Sequence, residues 1–176
     1  MHGTVGPART TMSAVAERAG VRRSTLYRHF PDEATLFEAC SGHWMAENPP
    51  PDITGWAAID DPDQRLRTGL VELYAYWRRT EPMMENLLRD EATSEIVRRN
   101  FRVFHQFMGA GAEILLEGRG VRGRARKRTL AAIGHALDFT TWQSLTRDQG
   151  LDDPDAIGLM LGLVEVAGSR DAAATS

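Results

Sequence analysis

Residues 12–30 read MSAVAERAGVRRSTLYRHF, and this stretch decides the architecture. Met12, Val15, Ala16 and Ala19 recur at the three- and four-residue spacing of one helix face. Gly20 then supplies the left-handed backbone angles a sharp turn requires. From about Arg23 to Phe30 a second short helix is expected, with Leu26, Tyr27 and Phe30 spaced three and four apart. Ala16 is small where the two helices must cross, and Val21 and Leu26 are apolar where the second packs back on the first. Arg22, Arg23, Ser24, Thr25, Tyr27, Arg28 and His29 all cluster on that second helix. Each can donate hydrogen bonds to phosphates or base edges. The pattern is that of a helix-turn-helix, whose second helix lies in the DNA major groove.

The charge distribution agrees. Of the 176 residues, 42% are hydrophobic and 26% charged, as in an ordinary globular protein, and the net charge is −3. Residues 1–30 carry five arginines against one glutamate, a balance of +4, which leaves −7 on the remainder. A basic head on an acidic body suits a nucleic-acid contact at one end. Arginine is abundant throughout, so no single arginine is informative. No apolar run approaches a membrane span, and the N-terminus lacks the apolar stretch of a signal peptide. The one cysteine, Cys40, excludes an intramolecular disulfide and reads as a small buried apolar residue. These features point to a cytoplasmic protein.

Outward from the motif the chain reads as all-α, with no alternating strand pattern and no hairpin turn. Pro31-Asp32 restarts the chain, and Asp32 can cap a third helix running to about Glu47 with Leu36, Phe37, Cys40 and Trp44 inward. Asn48-Pro49-Pro50-Pro51 ends it. Residues 48–61 form a linker whose Ile53, Trp56 and Ile59 are expected to pack. Longer helices are expected near 62–79, 82–91, 93–117, 123–147 and 153–168, started by Asp61-Pro62, Glu81-Pro82 and Asp153-Pro154. The expected organisation is therefore a DNA-binding domain at 1–47, the linker at 48–61 and a second helical domain at 62–170.

The run Thr10 to Ala39, TTMSAVAERAGVRRSTLYRHFPDEATLFEA, resembles the DNA-binding domain of the TetR (tetracycline-repressor-like) transcriptional regulators. The AERAGV…TLYRHF core is quite specific, and the resemblance covers about 30 residues. It implies an all-α homodimer with a C-terminal domain for ligand binding and dimerisation. Position by position, it implies that Thr11, with Thr10 beside it, caps the first motif helix and contacts phosphate. It implies that Arg22, Arg23, Ser24 and Thr25 face the groove, that Tyr27 and His29 touch phosphates or bases, and that Leu26 and Phe30 pack. Arg22 stands where the family usually has a capping serine, and Glu33 where it often has a phosphate-binding lysine. The family also places an extra helix ahead of the motif, and Met1 to Arg9 is too short for it. Either the native chain starts upstream or this form is truncated; the first reading is preferred.

In the C-terminal region, Tyr74, Tyr76, Trp77, Met83, Met84, Phe101, Phe104, Phe107, Met108, Phe139 and Trp142 are core residues by default. Ligand pockets are lined by the same side chains with a few polar groups. The candidate lining is Tyr74, Trp77, Met84, Phe104, His105, Phe107, Asp138 and Trp142, with Asn86, Arg89, Asn100 and His135 as further polar candidates. The segment Arg119 to Arg128, RGVRGRARKR, reads as a solvated loop. There is no HExxH, no GxSxG elbow and no P-loop, so no enzyme, cofactor or metal is implied. For the dimer, Leu130, Ile133, Leu137, Thr141 and Leu145 on one helix and Ile157, Leu161 and Val164 on another have suitable spacing. The expected function is a ligand-responsive repressor, released from a near-palindromic operator by a small, largely apolar effector. The alternative is a small-molecule-binding helical dimer with impaired DNA binding.

Overall fold

A computed structural model describes residues 11–169. Thr10 and the residues ahead of it, on which the question of a leading helix turns, lie outside the described residues, as does residue 170. Among the described residues the chain is all-α, as expected, with no strand. In chain order the helices are α1 (Met12–Ala19), α2 (Arg23–His29), α3 (Glu33–Glu47), α4 (Ile53–Ala57), α5 (Pro62–Glu91), α6 (Glu95–Leu116), α7 (Gly123–Leu137), α8 (Phe139–Gln143) and α9 (Asp153–Gly168), with a π-helical turn at Ser144–Asp148.

The described residues fall into two compact units. One holds the chain up to Pro50 and Arg79–Phe104; the other holds Pro51–Arg78 and the chain from His105 onward.

In the first unit, α3 is capped by Asp32, whose carboxylate accepts from the Thr35 N–H and hydroxyl, each at 2.8 Å. Those bonds, the backbone one foremost, hold the exposed Asp32 carboxyl below its ordinary range. Leu36 and Phe37 are the buried residues of α3, while Cys40 and Trp44 are only half-buried. Phe101 stacks on Phe104 at 5.1 Å between ring centres.

In the second unit the linker's packing residues find their place. Asp52 caps α4, and Trp56, buried to 2% exposure, donates from Nε1 to Glu72 at 2.7 Å. Its ring lies where a Cβ on Gly69 would stand 3.4 Å away and one on Gly111 3.3 Å away, so glycine at both positions makes room for the indole. Beside it, buried Arg65 donates to the carbonyls of Ile59 (2.7 Å), Asp60 (3.3 Å), Ile114 (3.0 Å) and Glu117 (2.9 Å). It thereby ties the turn that follows α4 to the end of α6. Helix α9 packs along α7.

Two helix boundaries differ from expectation. The expected break at Glu81-Pro82 does not occur: α5 runs through Pro82. Proline removes one hydrogen bond, the one to the Arg78 carbonyl, but Thr80, Met83 and Met84 are all buried around it, and tertiary packing holds the helix in register. Conversely, the expected helix 123–147 breaks at Asp138, whose backbone is extended (φ −69°, ψ 135°). The Asp138 carboxylate accepts from the Thr140 N–H at 2.7 Å and from the Thr140 hydroxyl, capping α8 and competing with helix continuation. Two carbonyls in the last turn of α7 are then taken by side chains from α5. Tyr74 Oη donates to Ala136 at 3.1 Å, and Trp77 Nε1 donates to Leu137 at 3.3 Å.

Candidate nucleic-acid interface

The local signals in residues 11–30 each have a geometric outcome. Thr11 is the N-cap of α1, its hydroxyl accepting from the Ala14 N–H at 3.2 Å. Helix α1 ends on Gly20 at φ 66°. The Gly20 N–H donates to Glu17 at 3.1 Å and the Val21 N–H to Ala16 at 3.0 Å, the paired bonds of a left-handed helix stop. A side chain at Gly20 would meet no steric obstacle; the positive φ is what favours glycine there. Arg22 occupies the N-cap of α2 and makes no capping bond with its side chain, as its replacement of serine implies.

Met12, Ala16, Leu26 and Leu36 form a buried cluster, with Val15, Phe30 and Cys40 packed against it. Burial pushes the Cys40 thiol up, which disfavours its thiolate. Val21, expected to pack, is instead 41% exposed. With Leu26 and Phe30 turned inward, the opposite face of α2 is left to polar groups. Arg22, Arg23, Ser24, Tyr27, Arg28 and His29 are exposed, and Thr25 is half-buried. Arg23 Nη2 donates to Tyr27 Oη at 3.1 Å, and its guanidinium lies 5.3 Å from the centre of the Tyr27 ring. Glu33 is exposed in the first turn of α3, where a carboxylate is favoured by the helix dipole. This outer face of α2 can donate to phosphate oxygens and to base edges in a groove.

The ligand-binding candidates divide between the two units. Tyr74, Trp77 and Trp142 are buried together in the second, joined by Phe139, which lies 5.6 Å from each of the two indoles. Burial foremost, and the charge of Asp153 secondarily, raise the Tyr74 hydroxyl well above the ordinary tyrosine range, so it remains a donor. His105 and Asp138 are exposed in the same unit and Phe107 is half-buried; Asp138 is engaged as the cap of α8. In the first unit Met84 is buried and Phe104 half-buried. Of the further polar candidates, Asn86 is buried and accepts from Arg89 at 2.7 Å, and His135 Nδ1 lies 3.1 Å from the Thr141 hydroxyl. Arg78, Arg147 and Asp153, which gather around Trp142, were not singled out by sequence. The one cue available was Asp153 at a helix start, and nothing local links it to Arg78.

The basic segment 119–128 is less solvated than its composition suggests. Arg119 bonds Asp63 at 2.8 Å and the Leu115 carbonyl at 3.0 Å, Arg126 bonds Glu113 at 2.7 Å, and Arg128 bonds the Ala167 and Ser169 carbonyls at 3.2 and 2.9 Å.

An exposed cationic and hydroxylic helix, set by a glycine turn against a closed small core, defines a helix-turn-helix of the kind that can enter a DNA groove. More particularly, residues 1–40 match the family model of bacterial regulatory proteins, tetR family. That match supports a DNA-binding transcriptional regulator. Comparison with curated proteins gives no match. No helix among the described residues is long and apolar enough to cross a membrane.

Proposed function

We propose that the protein is a homodimeric cytoplasmic repressor that leaves a near-palindromic operator when a small, largely apolar molecule binds its C-terminal region. The observation that carries this reading is the outer face of α2. Arg22, Arg23, Ser24, Tyr27 and His29 are exposed together over a core that closes without them. The proposed DNA contacts are Thr10, Thr11, Arg22, Arg23, Ser24, Thr25, Tyr27 and His29, in a domain spanning 1–47, joined by 48–61 to a ligand-binding and dimerisation domain at 62–170. Phosphate contacts supply affinity and salt dependence, while the base-facing side chains supply selectivity.

Dimerisation is assigned to the outward faces of α7 and α9. Ile133, Leu137, Thr141, Ile157 and Val164, which have suitable spacing for an interface, are buried within the chain itself. The apolar residues left outside are Leu159, Leu163 and Val166, at 52%, 40% and 71% exposure, with open space beside Gly134, Gly158 and Gly162. Small residues let two helices approach closely, and the exposed leucines and valine give them something to bury. Two identical heads held by such a two-fold contact read two half-sites.

For the effector, Tyr74, Trp77, Met84, Phe104, His105, Phe107, Asp138 and Trp142 are the proposed contacts, supported by their aromatic and apolar character. An effector releases DNA only through its differential affinity for two states of the dimer.

The test is fluorescence anisotropy of the full chain with duplexes from upstream of its own coding region, against scrambled duplexes, at several salt concentrations. Tight, salt-dependent and sequence-selective binding that weakens in Arg23→Ala is the expected result. Equal, weak binding to every duplex would replace this reading with that of a small-molecule-binding dimer.

A further inference from the structure

We infer that Tyr27 acts in this protein as a positioning residue for Arg23, holding the guanidinium in a base-reading pose before DNA arrives. The inference rests on the DNA-binding reading above and goes beyond it, since that reading assigns Tyr27 its own contact with phosphate or base.

Arg23 and Tyr27 are four residues apart on α2, which places them one above the other on a single face. That face is the outer one, because Leu26 and Phe30 turn into the cluster with Met12 and Ala16. The pair is joined by the Nη2–Oη hydrogen bond of 3.1 Å, which sets the guanidinium beside the ring, 5.3 Å from its centre. An unheld arginine carries large rotamer freedom that must be surrendered on binding. Here the hydroxyl restrains the fork beside the ring. The bond occupies one donor of the fork and leaves others for a guanine edge, which arginine reads with two parallel bonds. Tyr27 itself is 40% exposed and outside the core cluster, so changing it leaves the packing of α1 and α2 in place.

The experiment is a double-mutant cycle on the full chain, with duplexes enriched by wild type from a library of randomised sequence. The variants are Arg23→Ala, Tyr27→Leu, Tyr27→Phe and the Arg23→Ala/Tyr27→Leu pair, each checked for unchanged helical content and melting. Arg23→Ala should cost about tenfold or more in affinity and flatten base preference at one position of each half-site. Tyr27→Leu should flatten the same position, and in its background Arg23→Ala should cost little more. Tyr27→Phe, which keeps the ring and loses the acceptor, should fall between. A separate readout needs no DNA: nitrogen-15 relaxation at Arg23 Nε should show greater mobility in Tyr27→Phe than in wild type.

Strict additivity of the two substitutions, or uniform weakening by Tyr27→Leu across all sequences, overturns the inference while leaving DNA binding intact. Unchanged Arg23 mobility in Tyr27→Phe overturns it whatever the DNA result. If wild type enriches no duplex, the DNA-binding reading fails and this inference falls with it.

Discussion

The guanidinium of Arg78 grips the carboxylate of Asp153 at two points, Nε to Oδ2 at 3.0 Å and Nη2 to Oδ1 at 2.5 Å. The pair joins α5 to the first turn of α9, 75 residues apart in sequence. Trp142 Nε1 adds a bond to Oδ1 at 3.1 Å, and the guanidinium carbons of Arg78 and Arg147 are 5.7 and 5.2 Å from its ring centre. Three helical segments of the second unit are thus tied through one carboxylate.

That carboxylate gives the fold an acid-sensitive tie. Burial pushes the Asp153 carboxyl up, but hydrogen bonds from Arg78 and Trp142 and the charges of Arg78 and Arg147 outweigh it, and the net shift is downward. A carboxyl lowered in the folded state contributes stability above its unfolded value near 3.9, lost as pH falls through the folded value. With 44% of the Arg78 side chain and 24% of Asp153 exposed, solvent screens part of the gain. Asp153→Asn is expected to cost about 1–2 kcal/mol at pH 7. Urea titrations of variant and wild type should converge as pH falls through the folded value; a difference that persists undiminished in strong acid would refute the assignment.

Arg65 is expected to be far less tolerant of change than other arginines here. It is 6% exposed, and its partners are backbone carbonyls. Arg65→Ala leaves those acceptors without it and should destabilise by about 2–4 kcal/mol in chemical denaturation. Arg65→Lys keeps the charge but loses the fork, and should recover only part of the loss. A cost below about 1 kcal/mol for the alanine variant would mean water replaces the guanidinium freely.

Pro82 offers the opposite sign. It is exposed and sits inside α5, where it denies the Arg78 carbonyl its helical partner. Pro82→Ala restores the bond without disturbing buried Met83 or Met84, and should raise stability by about 1–3 kcal/mol. Thermal melts at fixed protein concentration measure it; a lower melting temperature would show that the proline's fixed geometry is itself required.

The proposed dimer contact predicts that Leu163→Glu yields a folded monomer. Leu163 is 40% exposed, so its charge is hydrated in the monomer and costly only when covered by a second copy. Light scattering should report half the wild-type mass, with unchanged circular dichroism. A wild-type monomer, or a variant that stays dimeric, would move the interface elsewhere.

Much of the DNA-binding head was legible because its signals act over four residues or fewer. The Thr11 cap, the Gly20 stop and the inward pair Leu26 and Phe30 are local facts about a backbone and a helical period. The bare N-cap at Arg22 was legible for the same reason. The exposure of Val21 was not.

The C-terminal helices show the complementary case. Amphipathic spacing by itself established that the region is helical and apolar-faced; it left open which stripe would be buried within the chain. Ile133, Ile157 and Val164 turned inward, and Leu159, Leu163 and Val166 outward, because α7 and α9 pack on each other. Helix continuity was settled in the same way. A proline was absorbed where buried neighbours hold α5, and an aspartate broke a helix where Tyr74 and Trp77, some sixty residues earlier, supply donors for the last-turn carbonyls. Caps and turns are decided by a residue's own neighbours along the chain. Burial and helix ends inside a packed body are decided by which groups arrive from elsewhere to meet them.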